Sequence, residues 1–189
     1  MPGRIILFLI LIIAVTFSGW LMNKILDSEA DRAVNPYPDP DYYMQDFTTV
    51  SMGNDGLPIN KLYAVYMEHN PINDTSELYE PKLEIYRDDN GPFYITADKG
   101  WATENNEVIL LRGKVIMWEE NIDGNITMNI ETTDLNVLLV EEYAETDQFA
   151  TIDTSRTTIT GKGIRAHFDN SLVEILNHEQ TIITHPDKI

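Results

Sequence analysis

Few residues of this 189-residue chain are placed to do covalent chemistry. His69, His167, His178 and His185 have no spacing that suggests a shared metal site, and solvated or edge positions are the expectation for each. The paired acids Glu119–Glu120 and Glu141–Glu142 read most simply as solvent-facing charges. The alternative for such pairs is a glycosidase-like carboxylate couple. "RDDNGP" and "NIDGN" look like pieces of calcium loops, but neither has the full ligand run with a terminal Glu. "GKG" at Gly161–Gly163 lacks the earlier glycine and the following Ser or Thr of a P-loop, so nucleotide energy would have to come from a partner. The absence of cysteine rules out disulfides, thiol nucleophiles, thiolate metal sites and a lipid-modified cysteine. No enzyme and no cofactor are indicated.

What the chain offers instead is apolar surface in alternation. In "NEVILLRGKVIMWEEN", residues Asn106 to Asn121, the side chains of Ile109, Leu111, Val115 and Met117 share one face of an extended strand, with Gly113 in phase between them. The other face is mixed. From about Phe47 onward nearly everything follows this pattern, with short apolar-alternating runs separated by turn clusters such as "GNDGLP", "NPIND" and "ENIDGN". No 3.6-residue period appears in that region, so the body is all-β. A weak repeat runs through it: Ala64, Ala97, Thr133 and Ala166 each precede a turn and a strand and are spaced by 33, 36 and 33 residues. Such a period suits stacked hairpins that bury a shared face.

The elements before that body place it. Ile5 to Met22 is an uncharged run of 18 residues, about 27 Å long as a helix and thus close to the hydrocarbon thickness of a bilayer. A cleaved signal peptide is the alternative, but its apolar region is normally only about 7–15 residues. The reading is a single transmembrane helix over residues 5–22, with residues 1–4 as a cytoplasmic tail. Arg4 lies before the span and an acidic segment follows it, which puts the body on the far side of the membrane. Residues 23–46 contain Pro36, Pro38 and Pro40 and read as a stiff spacer ahead of a β domain at residues 47–189. From residue 25 onward 11 basic residues face 31 acidic ones, a balance of −20. Such a surface repels phosphate backbones, so no nucleic acid is expected as a partner.

"YMQDFTTVSMGNDGLPINKLYAVYMEHNP", "DTSELYEPKLEIY", "GPFYITADKGWAT", "VILLRGKVIM", "YAETDQFATI" and "TGKGIRA", in that order, resemble the LptC family. The family pattern has Met where this chain has Ile164, a volume-conserving difference. LptC proteins are membrane-anchored periplasmic components of lipopolysaccharide export. The resemblance implies a twisted antiparallel β-jelly roll of two facing sheets, open along one side. It also implies residence in the inner membrane and, as partners, lipopolysaccharide, an inner-membrane ABC transporter and a periplasmic bridge protein of similar fold.

On that reading the apolar face of the quoted stretch lines a trough for acyl chains. The same alternation extends the lining to Leu62, Ala64, Leu83, Ile85, Phe93, Ile95 and Ala97, then to Met128, Ile130, Ala150 and Ile152. Ile159, Ala166, Phe168, Val173 and Ile175 complete it. Small residues at Ala64, Ala97, Gly113, Ala150 and Ala166 would leave width for a guest. A backbone bulge is expected at Gly161 and Gly163, where the inward set should flip. Residues 171–184 are expected to form the edge that meets the bridge protein, Phe47 to Ser51 to face the transporter, and Pro186 to stop pairing along the tail. The competing functions are a tethered scaffold that binds no lipid and a polysaccharide hydrolase.

Overall fold

The computed structural model describes residues 13, 15–22, 39–87, 91–103 and 107–183. Of the expected span, residue 13 and residues 15–22 are α-helical, with the Thr16 hydroxyl donating to the Ile13 carbonyl at 3.0 Å. Among the described residues no helix is long and apolar enough to cross a membrane; the rest of the expected span lies outside them. The helical segment falls in a unit separate from the β domain, which begins at Pro40.

Ten strands follow: β1 (Tyr43–Met52), β2 (Pro58–Asn70), β3 (Thr75–Tyr79), β4 (Lys82–Ile85), β5 (Phe93–Thr103), β6 (Val108–Glu120), β7 (Ile126–Leu138), β8 (Tyr143–Thr154), β9 (Thr157–His167) and β10 (Val173–Ile183). β1 begins at Tyr43, so residues 43–46 belong to the sheet rather than to the spacer that the prolines suggested. All ladders are antiparallel, and the order is the chain order, with β3 and β4 sharing the place between β2 and β5. Short turns between neighbours explain this, since a meander needs no crossover. Where two facing sheets were expected, hydrogen bonds join every strand into one sheet. Its halves nevertheless face each other: Phe93 at the start of β5 meets Phe168 just after β9, ring centroids 5.5 Å apart, although three strands lie between them in the sheet.

A line of backbone irregularities bends the sheet. Positive φ occurs at Asp46 in β1, at Glu80 between β3 and β4, at Gly113 in β6, at Asp134 in β7 and at Gly163 in β9. The ladders shift register alongside, between Ala97 and Lys99, Leu111 and Lys114, Glu131 and Asn136, and Thr146 and Phe149. The extra residue in a bulge kinks its strand and increases the local twist. Repeated across neighbouring strands, the kink folds one sheet over on itself.

Gly113 is a bulge residue and not part of the inward face, which corrects the in-phase placement that alternation gave it. It is exposed at φ +83°, and the amide of Lys114 beside it donates to Asp98 Oδ2 at 2.8 Å. A Cβ there would stand 2.3 Å from the same Asp98 oxygen. Gly113→Ala should therefore cost about 1–3 kcal/mol, from left-handed backbone strain plus a disturbed Asp98 hydrogen bond. Urea denaturation of the variant against wild type measures it. Thr133, the loosest member of the repeat, is also exposed; its neighbour Thr132 is the inward residue, donating to the Phe149 carbonyl at 2.9 Å.

Candidate functional site: an apolar interior with two mouths

Every residue assigned to the lining by alternation lies inside. Leu62, Ala64, Leu83, Ile85, Phe93, Ile95, Ala97, Ile109, Leu111, Val115, Met117, Ile130, Ala150, Ile152, Ala166 and Phe168 are buried in one cluster, and Met128, Ile159, Val173 and Ile175 pack against it half-buried. The cluster also contains Met67, Leu78, Ala102, Leu135, Val137, Ala144 and Ile164, none of which the alternation assigned. Most of these follow a bend, where the inward phase restarts. In β9 the inward residues run Gly161 and Gly163, then Ile164 and Ala166, with Phe168 continuing the phase just after it, so the flip falls at Gly163, φ +77°. Gly161 has a different role. A Cβ on it would meet the Ile175 side chain at 2.5 Å and the Asn177 carbonyl at 2.8 Å, so the missing side chain admits β10.

Between its ends the interior is closed: Ile95, Val115, Met117, Ile130, Leu135 and Val137 are wholly shielded from solvent. The ends differ. One carries a cavity of about 790 Å³ bounded by the β1–β2 turn, the end of β4, the β7–β8 turn and the residues after β9. That volume lies in the range of about 300–1,000 Å³ usual for ligand pockets. Leu57, Ile59, Ile85, Leu139 and Phe168 give it apolar walls, with Asp55, Glu142, Asp169 and Arg87 at its rim. A second cavity of about 170 Å³ lies where the start of β1 crosses the far ends of β2, β3 and β5.

Polar side chains cluster at both mouths. Arg87 is almost fully buried and pairs with Glu119 at 2.9 Å, so Glu119 is not the solvent-facing charge expected. Arg87 Nη1 donates to the Ser171 hydroxyl at 2.6 Å, and that hydroxyl donates to Glu119 Oε1 at 2.7 Å. At the smaller mouth His69 is largely covered, its ring stacked on Tyr42 at 4.5 Å, where a solvated histidine was expected. Its Nδ1 lies 2.7 Å from Asp41 and its Nε2 lies 2.8 Å from Asp74. His167 and His178 make ordinary surface contacts, His185 lies outside the described residues, and among those residues no three His, Cys, Asp or Glu side chains could hold a metal ion.

Hydrogen bonds that the His69 ring donates to Asp41 and then to Asp74 raise the His69 pKa, and the first of these lowers that of Asp41. A raised histidine pKa gives stability that is fully present below the unfolded value of about 6.5 and is lost as pH climbs through the folded value. The lowered Asp41 pKa adds stability present above about 3.9 that is lost as pH falls through the depressed value. Wild type should therefore lose more thermal stability than His69→Gln between pH 6 and 8, and differential scanning fluorimetry across that range checks it.

The edges of the sheet are β1 and β10, each paired on one side only. Beyond Ile175, β10 is exposed on both faces, including Leu176, Ile182 and Ile183. Sequence patterning located both edges but missed the Arg87–Glu119–Ser171 and His69 clusters, because their members are distant in the chain and ordinary in type.

The family model that matches the chain is described as "Lipopolysaccharide-assembly, LptC-related" and covers residues 7–184. No curated protein sequence matches. Among solved structures the chain is similar to LptH of Pseudomonas aeruginosa, described as the LptA-homologous periplasmic component of a conserved lipopolysaccharide transport device. The TM-score is 0.50 at 11% identity, over 61% of this chain and 80% of that one. That likeness concerns the fold, a bent antiparallel sheet. With nearly its whole length matched by the family model, this chain belongs to the LptC-related family of lipopolysaccharide assembly.

Proposed function

We propose that this protein is a non-enzymatic, membrane-tethered component of lipopolysaccharide transport. It accepts lipopolysaccharide from an inner-membrane ABC transporter into the apolar space between its half-sheets and passes it to a periplasmic bridge protein of similar fold. Residues 5–22 hold it in the inner membrane with the N-terminus cytoplasmic and the β domain in the periplasm. The observation that carries this reading is the single apolar interior with a mouth at each end. Carrying an acyl chain of roughly twelve carbons through water costs on the order of 10 kcal/mol, at about 0.8 kcal/mol per CH₂. An aliphatic interior removes that cost without any bond chemistry. The closed middle means that the half-sheets part around their guest.

The same closed middle favours a second reading, a scaffold that joins transporter and bridge protein and holds no lipid. An aliphatic diazirine residue at Ile95, which faces in, and at Tyr94, its outward neighbour on β5, separates the two. A conduit crosslinks lipopolysaccharide from Ile95 and much less from Tyr94. Equal or absent crosslinking at both positions leaves the scaffold.

A further inference from the structure

We propose that the larger mouth is the port through which acyl chains enter or leave the interior, and that Arg87, Glu119 and Ser171 form the clasp that gates it. This rests on the conduit reading above.

The clasp joins parts of the sheet that no ladder joins. Arg87 lies two residues past β4, Glu119 is the penultimate residue of β6 and Ser171 lies in the β9–β10 turn, and neither β4 nor β6 pairs with β9 or β10. Two hydrogen bonds and an ion pair close a cycle: the guanidinium donates to the hydroxyl, the hydroxyl donates to the Glu119 carboxylate, and that carboxylate is ion-paired with the guanidinium. Arg87 Nε also donates to the Gly91 carbonyl at 3.0 Å, so the guanidinium is held on several sides. Ser171 sits at φ +55°, a conformation that favours glycine. A serine there puts a hydroxyl where the turn alone would ask for none.

Directly beneath is an apolar seam. The guanidinium lies 5.6 Å from the Phe93 ring centre, and Phe93 touches Phe168, which also lines the cavity. Parting the clasp and these two rings would extend the cavity into the core without breaking any ladder. The rim explains which part of an amphiphile enters. Asp55, Glu142 and Asp169 outnumber Arg87, whose charge Glu119 already answers, so an anionic headgroup stays outside while its acyl chains pass. A buried ion pair suits a gate, because desolvation offsets much of its attraction while its geometry still defines one closed arrangement.

Because the chain has no cysteine, Glu119→Cys with Ser171→Cys introduces the only two thiols. The full-length double variant, carrying the diazirine residue at Ile95, is treated with a reducible bifunctional thiol crosslinker and offered purified lipopolysaccharide. The bridged form should crosslink lipid about tenfold less than the same sample after reduction. Both forms are one polypeptide, so a folding defect does not account for the difference. Arg87→Met with Glu119→Gln, which removes the charges but adds no bridge, should load faster than wild type. Equal lipid crosslinking in bridged and reduced forms overturns the gate while the conduit stands. No crosslinking from Ile95 in wild type or in any variant overturns the conduit and the gate with it.

Discussion

Ile109→Asp is expected to unfold the β domain rather than merely to block a lipid. Ile109 is 1% exposed, and its neighbours in the cluster are aliphatic. An unpaired carboxylate there has no hydrogen-bond partner and no countercharge, a situation that costs on the order of 3–5 kcal/mol. Domain stability totals only about 5–15 kcal/mol, so the variant should populate unfolded chain under native conditions. Urea denaturation followed by circular dichroism measures the loss. A midpoint equal to wild type would mean that water reaches Ile109 and that the interior is looser than the packed arrangement. Polar substitutions inside this protein are therefore poor tests of lipid binding, because they remove the fold itself. Size-conserving photoreactive residues do not.

Ile182→Asp combined with Ile183→Asp should weaken association with the bridge protein by tenfold or more and leave the domain's stability nearly unchanged. The two residues are 51% and 64% exposed and, being successive in a strand, point to opposite faces. That end of β10 is thus bare on both faces and unpaired along one edge, a state that soluble proteins usually avoid because it invites strand pairing. A docked strand would complete the row of amides and carbonyls, at about 0.5–1.5 kcal/mol per hydrogen bond, and would cover the apolar side chains. Introduced carboxylates would be desolvated in that junction but remain solvated in the free protein, where surface changes of this kind stay within about 0.5 kcal/mol. Purified full-length protein titrated with the bridge protein gives the affinity, and thermal unfolding gives the control. Unchanged affinity would remove β10 as the junction. Pro186, expected to stop pairing further along, lies outside the described residues.

The all-β class, the hairpins and inward residues in eight of the ten strands follow from the amino-acid sequence alone, because side-chain alternation is a local property of an extended chain. The bends are where that logic breaks. In β5 the inward residues step from Ala97 to Gly100, and in β7 from Thr132 to Leu135. A step of three reverses the parity, which hid Ala102, Leu135 and Val137. In β6 the step is four, from Leu111 to Val115, and mimics two ordinary steps. The alternation therefore ran through the bend unbroken and carried Gly113 inward with it.

What tertiary structure alone decided is where the halves of the sheet touch. The Phe93–Phe168 seam, the clasp above it and the bracing of His69 between Asp41 and Asp74 join residues from 5 to 84 positions apart. Local periodicity reports which side of a strand a residue occupies. Only the summed twist and bend of ten strands determines what lies across from it.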